Sequence, residues 1–229
     1  MNKIAIIVGG GLGLRMKSNI PKQFIEVNGK PIILHTIYAF IKAYEDMHFI
    51  LVVPKDFVEI TEKMIHQEKL TQTFTIVEGG ATRFQSVKNG LGALNHEFND
   101  GIIFIHDAVR CLVSAKLIKQ GFEESLKFGN AIPALVPNSS VRFGNFEGNS
   151  TRIDRNKIFL IQTPQCFKLE QLNVAYNQIE DESFTDDATV VEKAGFLLRL
   201  ILGEEENVKI TTPFDLKLLK VYLLQNSNK

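Results

Sequence analysis

The sequence predicts an α/β protein with a doubly wound, mostly parallel β-sheet. Short apolar runs typical of strands recur along the chain, and most segments between them show the 3.6-residue periodicity of helices. The runs are apolar throughout, as in strands that are covered on both faces. The predicted strands span residues 3–8, 48–53, 73–77, 101–106, 130–136, 158–162 and 197–202.

Several predicted helices have recognisable ends. Thr82 and Gln85 have the spacing of a capping box at a helix N-terminus. Ser114 is a second candidate N-cap, and Gly129 stands where the same helix would end in a left-handed residue. Thr212 precedes Pro at the start of the last predicted helix.

The length and composition favour one domain over residues 1–229. With 45% hydrophobic residues the chain can bury a substantial core, and nothing divides it into two similar halves. The 26 basic and 26 acidic residues balance, so we expect no nucleic-acid partner and no attraction to an anionic membrane. Any site for a polyanion must therefore be local.

The cysteines and the apolar runs indicate the cellular compartment in which we expect the protein. Cys111 and Cys166 are far apart and lack the spacing of a zinc site, so we expect reduced thiols in a cytoplasmic protein. The sequence begins directly on the first predicted strand, without a basic and apolar leader. No apolar run approaches the roughly 18 residues of a membrane span.

A glycine-rich segment follows the first predicted strand and predicts a phosphate site. Glycines at 9, 10, 11 and 13 leave the backbone N–H groups open to a ligand. Arg15 and Lys22 add two full positive charges nearby. The glycines and the two cations together suit a triphosphate better than a neutral ligand. A lone Gly-x-Gly, without the cations, would more often be a simple turn between a strand and a helix.

Two common phosphate loops do not fit this segment. The dinucleotide pattern Gly-x-Gly-x-x-Gly requires glycine where Leu14 or Met16 stands, depending on the register. The Walker pattern also fails at Leu14, and the Gly29-Lys30 pair is followed by Pro31 instead of Ser or Thr. The segment is therefore neither a standard NAD site nor a P-loop.

Two other segments should meet this loop. Gly79-Gly80 and His106-Asp107 each follow a predicted strand, and ligands of doubly wound sheets lie beyond the carboxyl ends of the strands. We therefore expect all three segments to line one crevice. His106 has no second His at a metal-binding spacing, so a hydrogen-bonded residue at a strand end is the favoured interpretation.

The segment 137–157 interrupts the alternation of strands and helices. It is rich in Asn, Gly and Ser and has too few apolar residues to form its own core, which is typical of an exposed hairpin. A second subunit is the simplest partner for such a hairpin, and a disordered flap is the alternative.

Taken together, these segments resemble the 2-C-methyl-D-erythritol 4-phosphate cytidylyltransferase family over nearly the whole chain. Eight motifs in order carry the resemblance, which makes it far more specific than any one of them. The motifs lie at Gly9–Met16, Pro21–Phe24, Gly29–Ile32, Gly79–Leu91, His106–Arg110, Gln162–Gln165, Thr185–Ala188 and Asn207–Thr212.

The resemblance implies a Rossmann-like nucleotidyltransferase fold with a protruding β-hairpin arm at 137–157. It also implies the transfer of a cytidylyl group from CTP to methylerythritol phosphate, with release of pyrophosphate and with Mg²⁺ as cofactor. The substrate phosphate attacks the α-phosphorus in line, so positioning and electrostatic stabilisation supply most of the catalysis.

The resemblance also assigns roles to four cations. Arg15 and Lys22 match residues that stabilise charge at the α-phosphate and the leaving group. Arg155 and Lys209 match residues that position the sugar phosphate. The Arg155 match reaches in from a neighbouring subunit on the arm, which implies a homodimer.

Further site residues follow from the same motifs. Asp107 is the candidate magnesium ligand. The nucleotide site is assigned to Gly9, Gly10, Gly11, Leu12, Gly13, Gly80, Ser86, Asp107, Ala108 and Arg110. The sugar-phosphate site is assigned to Ser140, Arg155, Thr163 and Lys209.

Alternatives remain for the acceptor and for two carboxylates. Ribitol 5-phosphate or another polyol phosphate is the rival acceptor, and a non-catalytic nucleotide-binding homologue is the rival from another class. Asp186 and Asp187 could be a metal pair, but at the start of a helical pattern a capping role is favoured. Cys111 has no neighbouring base in the sequence, which argues against a thiol nucleophile.

Overall fold

The computed structural model describes residues 1–11, 20–94, 98 and 100–226. Within them a central β-sheet has the strand order β10-β7-β11-β6-β1-β4-β5, and β12 also pairs with β7. The strands are β1 (Lys3–Val8), β2 (Glu26–Val27), β3 (Lys30–Pro31), β4 (His48–Val53), β5 (Phe74–Glu78), β6 (Ile102–Asp107), β7 (Asn130–Leu135), β8 (Val141–Gly144), β9 (Ser150–Ile153), β10 (Leu160–Ile161), β11 (Gln165–Lys168) and β12 (Leu200–Leu202). The helices are α1 (Ile32–Ala43), α2 (Val58–Gln67), α3 (Arg83–Gly92), α4 (Ala115–Phe128), α5 (Leu169–Ala175), α6 (Asp187–Lys193) and α7 (Pro213–Asn226).

The sheet is mixed but mostly parallel, which confirms the predicted fold class. Strands β6, β1, β4 and β5 are parallel neighbours, and β12 is parallel to β7. The antiparallel strand β11 lies between β6 and β7 and pairs with both. The carboxyl ends of β1, β5 and β6 therefore meet at one edge of the sheet.

Helices cover both faces of the sheet, as expected for a doubly wound fold. Along β1, Ala5 and Ile7 pack on the face that contacts α1 and α4, whereas Ile4 and Ile6 pack on the face that contacts α3, α5 and α6. Alternate side chains of one strand are thus buried in two different cores. This explains why the strands read as continuous apolar runs in the sequence.

The predicted helix ends are present. The N–H of Gln85 donates to the Thr82 hydroxyl at 3.1 Å, and the N–H of Leu117 donates to the Ser114 hydroxyl at 3.0 Å. Gly129 ends α4 with a φ of +89°, a left-handed conformation that favours glycine. The structure therefore confirms these caps.

The hairpin predicted within 137–157 consists of β8 and β9. These strands pair with each other in a separate two-stranded sheet, with Val141 opposite Ile153. Its side chains are largely exposed, including Phe143 at 72% and a fully exposed Phe146. None of the described helices is long and apolar enough to cross a bilayer.

Candidate functional site

A cavity of about 780 Å³ lies beyond the carboxyl ends of β1, β5 and β6. The three segments that follow these strands all contribute to its wall, as the sequence predicted. Its lining residues are Val8, Gly9, Gly10, Gly11, Lys22, Gln23, Gly80, Ala81, Thr82, Arg83, Ser86, Asp107, Ala108, Val109 and Lys209.

Backbone forms part of the cavity wall because two turns approach each other closely. A Cβ on Gly79 would lie 3.0 Å from the Cα of Gly10, and a Cβ on Gly10 would lie 3.1 Å from the hydroxyl oxygen of Ser86. A side chain at either position would therefore force one of its neighbours to move. Glycine at these positions therefore allows the turn after β1 to pack closely against the turn after β5.

Gln23 holds the described part of the glycine loop. This side chain is buried, and its amide donates to the carbonyl of Gly9 and, at 3.2 Å, to the carbonyl of Gly11. Gln23 belongs to the Pro-Lys-Gln-Phe motif but was not selected from the sequence. Leu12, Gly13 and Arg15, which the sequence assigned to the site, lie outside the described residues.

Ser86 orders the turn after β5. Its hydroxyl accepts the N–H of Gly80 at 3.0 Å and donates to the carbonyl of Thr82 at 2.8 Å. Because a hydroxyl has one proton to donate, that donation is already used within the turn. Ser86 therefore faces the cavity with its acceptor side and holds Gly80 in place.

Asp107 lies at the centre of the charged part of the cavity. Its Oδ2 lies 2.9 Å from the Lys209 ammonium and 3.4 Å from Nε of Arg110. The Asp107 side chain is 11% exposed, and that of Lys209 is 40% exposed. The carboxylate is thus nearly enclosed, whereas Lys209 faces the open cavity.

Burial and charge oppose each other at Asp107. Burial alone would raise the pKa of this carboxyl group, but the charges of Lys209, Arg83 and Arg110 outweigh it and hold the pKa well below its usual range. Asp107 is therefore ionised at any physiological pH. A permanent carboxylate inside a cluster of cations fixes where those cations lie.

A chain of buried hydrogen bonds supports Asp107 from behind. Nε2 of His106 lies 3.1 Å from the carbonyl of Arg110, and since a carbonyl only accepts, this nitrogen carries the proton. Burial lowers the pKa of His106 to about 4, so the ring is neutral and Nδ1 accepts. The Thr163 hydroxyl donates to Nδ1 at 2.9 Å and accepts the N–H of Asp107 at 3.1 Å.

This network gives Thr163 a specific place. The side chain is 5% exposed and does not line the cavity. Both the proton and an acceptor position of its hydroxyl are used by neighbouring residues. The structure thus places Thr163 behind Asp107, where its hydroxyl binds the backbone N–H of that residue, and not among the residues that line the cavity.

Arg110 also lies behind the cavity surface. Its guanidinium donates to the carbonyl of Asn207 at 2.7 Å, and Asn207 donates to the carbonyl of Thr163 at 2.8 Å. Burial lowers the pKa of Arg110, although the Asp107 charge opposes this. Arg110 therefore connects the turn after β6 to the segment that carries Lys209.

Arg83 is a cavity-lining cation that was not selected from the sequence. Its guanidinium makes a bidentate pair with Asp187, with nitrogen–oxygen distances of 2.8 and 2.5 Å. The Asp187 side chain is completely buried and also accepts the Tyr176 hydroxyl at 2.6 Å. The position of Arg83 directly after the Thr82 cap was the available signal.

The two adjacent carboxylates at the start of α6 have different roles. Asp186 caps the helix, because it accepts the N–H of Thr189 at 2.9 Å. This confirms the predicted cap for Asp186. Asp187 also lies at this helix end, in the first turn of α6, but its carboxylate is bonded to Arg83, 104 residues away in sequence, and to Tyr176, 11 residues away.

The arm residues are apart from the cavity in a single chain. Ser140 and Arg155 are exposed and are not among the lining residues. The Arg155 guanidinium donates to the carbonyl of Asn138, at the base of the same arm. The structure thus brings Lys22, Lys209 and Asp107 together and leaves Ser140 and Arg155 elsewhere.

The described residues offer a magnesium ion few ligands. They contain no group of three or more His, Cys, Asp or Glu side chains that could hold a metal. Asp107 is the carboxylate among the described cavity-lining residues. Since Mg²⁺ commonly keeps several waters and binds through one or two carboxylates plus substrate phosphates, the site fits an ion that arrives with a nucleotide.

Comparison with known proteins gives a consistent result over the chain. The family model for 2-C-methyl-D-erythritol 4-phosphate cytidylyltransferase matches residues 3–225. A protein of that name from Bacteroides fragilis is 41% identical over 223 residues, which cover 97% of this chain and 100% of that protein. One from Clostridium perfringens is 37% identical, with 96% and 98% covered.

The fold agrees with solved structures as well. The crystal structure of 4-diphosphocytidyl-2C-methyl-D-erythritol synthase from Anaerococcus prevotii superposes with a TM-score of 0.82 at 28% identity, covering 97% of this chain and 96% of that chain. The matches extend through the glycine loop, the cavity and the arm. This chain therefore belongs to the 2-C-methyl-D-erythritol 4-phosphate cytidylyltransferase family.

Proposed function

We propose that this chain transfers the cytidylyl group of CTP to 2-C-methyl-D-erythritol 4-phosphate and releases pyrophosphate, as a step in isoprenoid precursor synthesis. The observation that carries the proposal is the family match over residues 3–225, in a chain whose cavity combines a glycine backbone with Lys22, Lys209 and Asp107. Such a cavity suits a nucleoside triphosphate, because backbone N–H groups and cations both favour phosphate oxygens.

The reaction needs no nucleophile from the protein. The substrate phosphate attacks the α-phosphorus, a new P–O bond forms, and the bond to pyrophosphate breaks with the electron pair leaving on the pyrophosphate oxygen. Cys111 is not suited to act as a nucleophile, since its thiol is buried and burial raises the pKa to about 12, which keeps the thiol protonated. Charge stabilisation is the main task left to the protein.

Lys22 and Lys209 divide that task between the two phosphates. Lys22 lies beside the glycine loop, where it and Arg15 would stabilise charge at the α-phosphate and on the leaving group. Lys209 is anchored by Asp107 at 2.9 Å and faces the cavity, where it would bind the sugar phosphate. Positive charge at both positions reduces the repulsion between the two anionic reactants.

Asp107 is the proposed protein ligand of Mg²⁺. The two cations contact its Oδ2, and among the described residues no hydrogen bond or ion pair reaches Oδ1. Oδ1 would bind the ion directly or through water, and the triphosphate would supply further oxygens. When bound, the ion would neutralise charge on the phosphates.

The proposed active unit is a homodimer in which each arm completes the partner's site. Ser140 and Arg155 would contact the sugar phosphate across the interface. The exposed apolar side chains Phe143 and Phe146 support this, because a hairpin that pairs with no other strand needs a surface to cover them. The unpaired, buried cysteines support a reducing compartment, the cytoplasm.

Pyrophosphate release tests the proposed reaction. The purified protein is incubated with CTP, Mg²⁺ and either methylerythritol phosphate or ribitol 5-phosphate. We expect rapid release with the first acceptor and a much lower rate with the second. Turnover with ribitol phosphate alone would overturn the acceptor assignment, and CTP binding without release for any polyol phosphate would identify a non-catalytic homologue.

A further inference from the structure

We propose that Arg83 is a nucleoside-binding residue, and that Asp187 and Tyr176 are positioning residues that act through it. This inference rests on the proposed function, because it names the part of CTP that Arg83 contacts. The ligand groups we assign to Arg83 are uncharged acceptor oxygens of the base or the ribose, and not the triphosphate.

The first support is the asymmetric burial of the Arg83–Asp187 pair. The Asp187 side chain is 0% exposed, whereas 25% of the Arg83 side chain is exposed and Arg83 lines the cavity. An ion pair serving only the core would have both partners enclosed. Here the enclosed partner fixes the orientation of an arginine whose side chain lines the cavity.

The second support is the way in which the guanidinium is held. Asp187 takes one N–H from each terminal nitrogen, and Tyr176 donates its hydroxyl to the same carboxylate. A guanidinium has five N–H donors, so three remain after the bidentate pair forms. Three N–H donors held in one plane at a cavity wall are suited to hydrogen bonding with acceptor oxygens of a ligand.

The third support is charge. Because the buried Asp187 carboxylate offsets its charge, Arg83 attracts phosphates less strongly than an unpaired cation would, which favours neutral acceptor oxygens as its ligands. Arg83 begins α3 directly after Gly80, Ala81 and Thr82, which also line the cavity. A buried ion pair also contributes little net stability compared with apolar packing, so its position calls for another role.

Binding of CTP and of CMP, without acceptor, tests this inference. Arg83→Gln removes the planar guanidinium group and its positive charge but keeps a polar side chain of moderate length. We expect the dissociation constants of both nucleotides to rise by a similar factor, roughly 10- to 100-fold, since one or two hydrogen bonds from a charged donor are lost. Loss for CTP with no change for CMP would overturn the nucleoside assignment.

Asp187 and Tyr176 are tested through Arg83. Tyr176→Phe keeps the packing and removes one hydrogen bond to Asp187, so we expect weaker binding of both nucleotides by about 2- to 5-fold. The KM for the acceptor should not change. If Tyr176→Phe and Arg83→Gln in combination weaken binding by the product of their separate factors, Tyr176 does not act through Arg83.

Two controls separate this inference from folding and from the proposed function. Asp181→Asn removes an exposed ion pair with Lys193, which lies on α6 like Asp187, and should leave both dissociation constants within about twofold. Arg83→Lys is the second variant if Arg83→Gln fails to fold, because it keeps the positive charge but lacks the planar guanidinium group. A folded Arg83→Lys that binds both nucleotides like wild type would overturn the inference, whereas a wild type that binds neither would overturn the proposed function instead.

Discussion

Asp107, His106 and Thr163 are buried and bonded to one another, whereas Ser140 and Arg155 on the arm are exposed. Asp107 has the support of Lys209, Arg110 and the Thr163 hydroxyl. Among the interactions of the described residues, Arg155 donates to one carbonyl of its own arm. The cavity half of the proposed site is therefore preorganised within one chain, whereas the arm half depends on the proposed partner subunit for its placement.

This difference predicts how variants of the two halves will behave. Changes in the cavity half should alter stability as well as catalysis, since its side chains are part of a buried network. Changes in the arm half should alter catalysis without altering the stability of the single chain.

The largest effect is expected for Lys22→Ala. If Lys22 stabilises charge that develops in the transition state, kcat should fall by roughly 10²- to 10³-fold while the affinity for CTP changes much less. Steady-state pyrophosphate release and equilibrium CTP binding measure the two quantities. An unchanged kcat would remove Lys22 from the mechanism.

Arg155→Ala should give the next largest effect. Loss of a charged donor to the sugar phosphate should raise the KM for the acceptor by roughly 10- to 100-fold. The melting temperature should stay the same, because Arg155 is exposed. A large loss of stability would place Arg155 among the residues that hold the fold.

Thr163→Val tests the buried network behind Asp107. This change leaves the Asp107 N–H and the His106 ring nitrogen without partners, so the free energy of unfolding should fall by about 1–3 kcal/mol. Thr163→Ser keeps the hydroxyl and should restore most of that loss. Urea unfolding of both variants gives the comparison, and equal stability of the Val and Ser variants would contradict the network.

The smallest effect at neutral pH comes from His106, whose contribution to stability changes only as the solution becomes acidic. Burial lowers its pKa from 6.5 to about 4, so the unfolded chain binds a proton at a higher pH than the folded one. The contribution is complete above about pH 6.5 and is lost as the pH falls towards 4, by about 3 kcal/mol in total. Urea unfolding over this range should show a steeper fall for wild type than for His106→Asn, and parallel curves would contradict a neutral buried ring.

Much of the fold could be predicted because the parallel strands carry a strong local signal. The runs at β1, β4 and β6 are continuous and apolar, and the helix ends at Thr82, Ser114 and Gly129 use local chemistry. In contrast, β11 is four residues long with polar residues at both ends. Its place between β6 and β7 depends on pairing with distant strands, which composition does not reveal.

The candidate site divides in the same way. The glycine turn, Lys22 and Asp107 could be predicted because they directly follow predicted strands or belong to specific motifs. The pairing of Arg83 with Asp187 could not, since the two residues are 104 positions apart and their contact depends on the packing of α3 against α6. The role of the Thr163 hydroxyl likewise depends on the buried position of His106.

The proposed division of one site between two chains is tested most directly by mixing two variants that are each only weakly active at acceptor concentrations near the wild-type KM. Lys22→Ala and Arg155→Ala are unfolded together and refolded, and heterodimers are verified before pyrophosphate release is measured. If the arm completes the partner's site, one site in each heterodimer is intact, and an equal mixture should regain about a quarter of wild-type activity. No recovery in verified heterodimers would contradict the shared site and place Arg155 with its own chain's cavity.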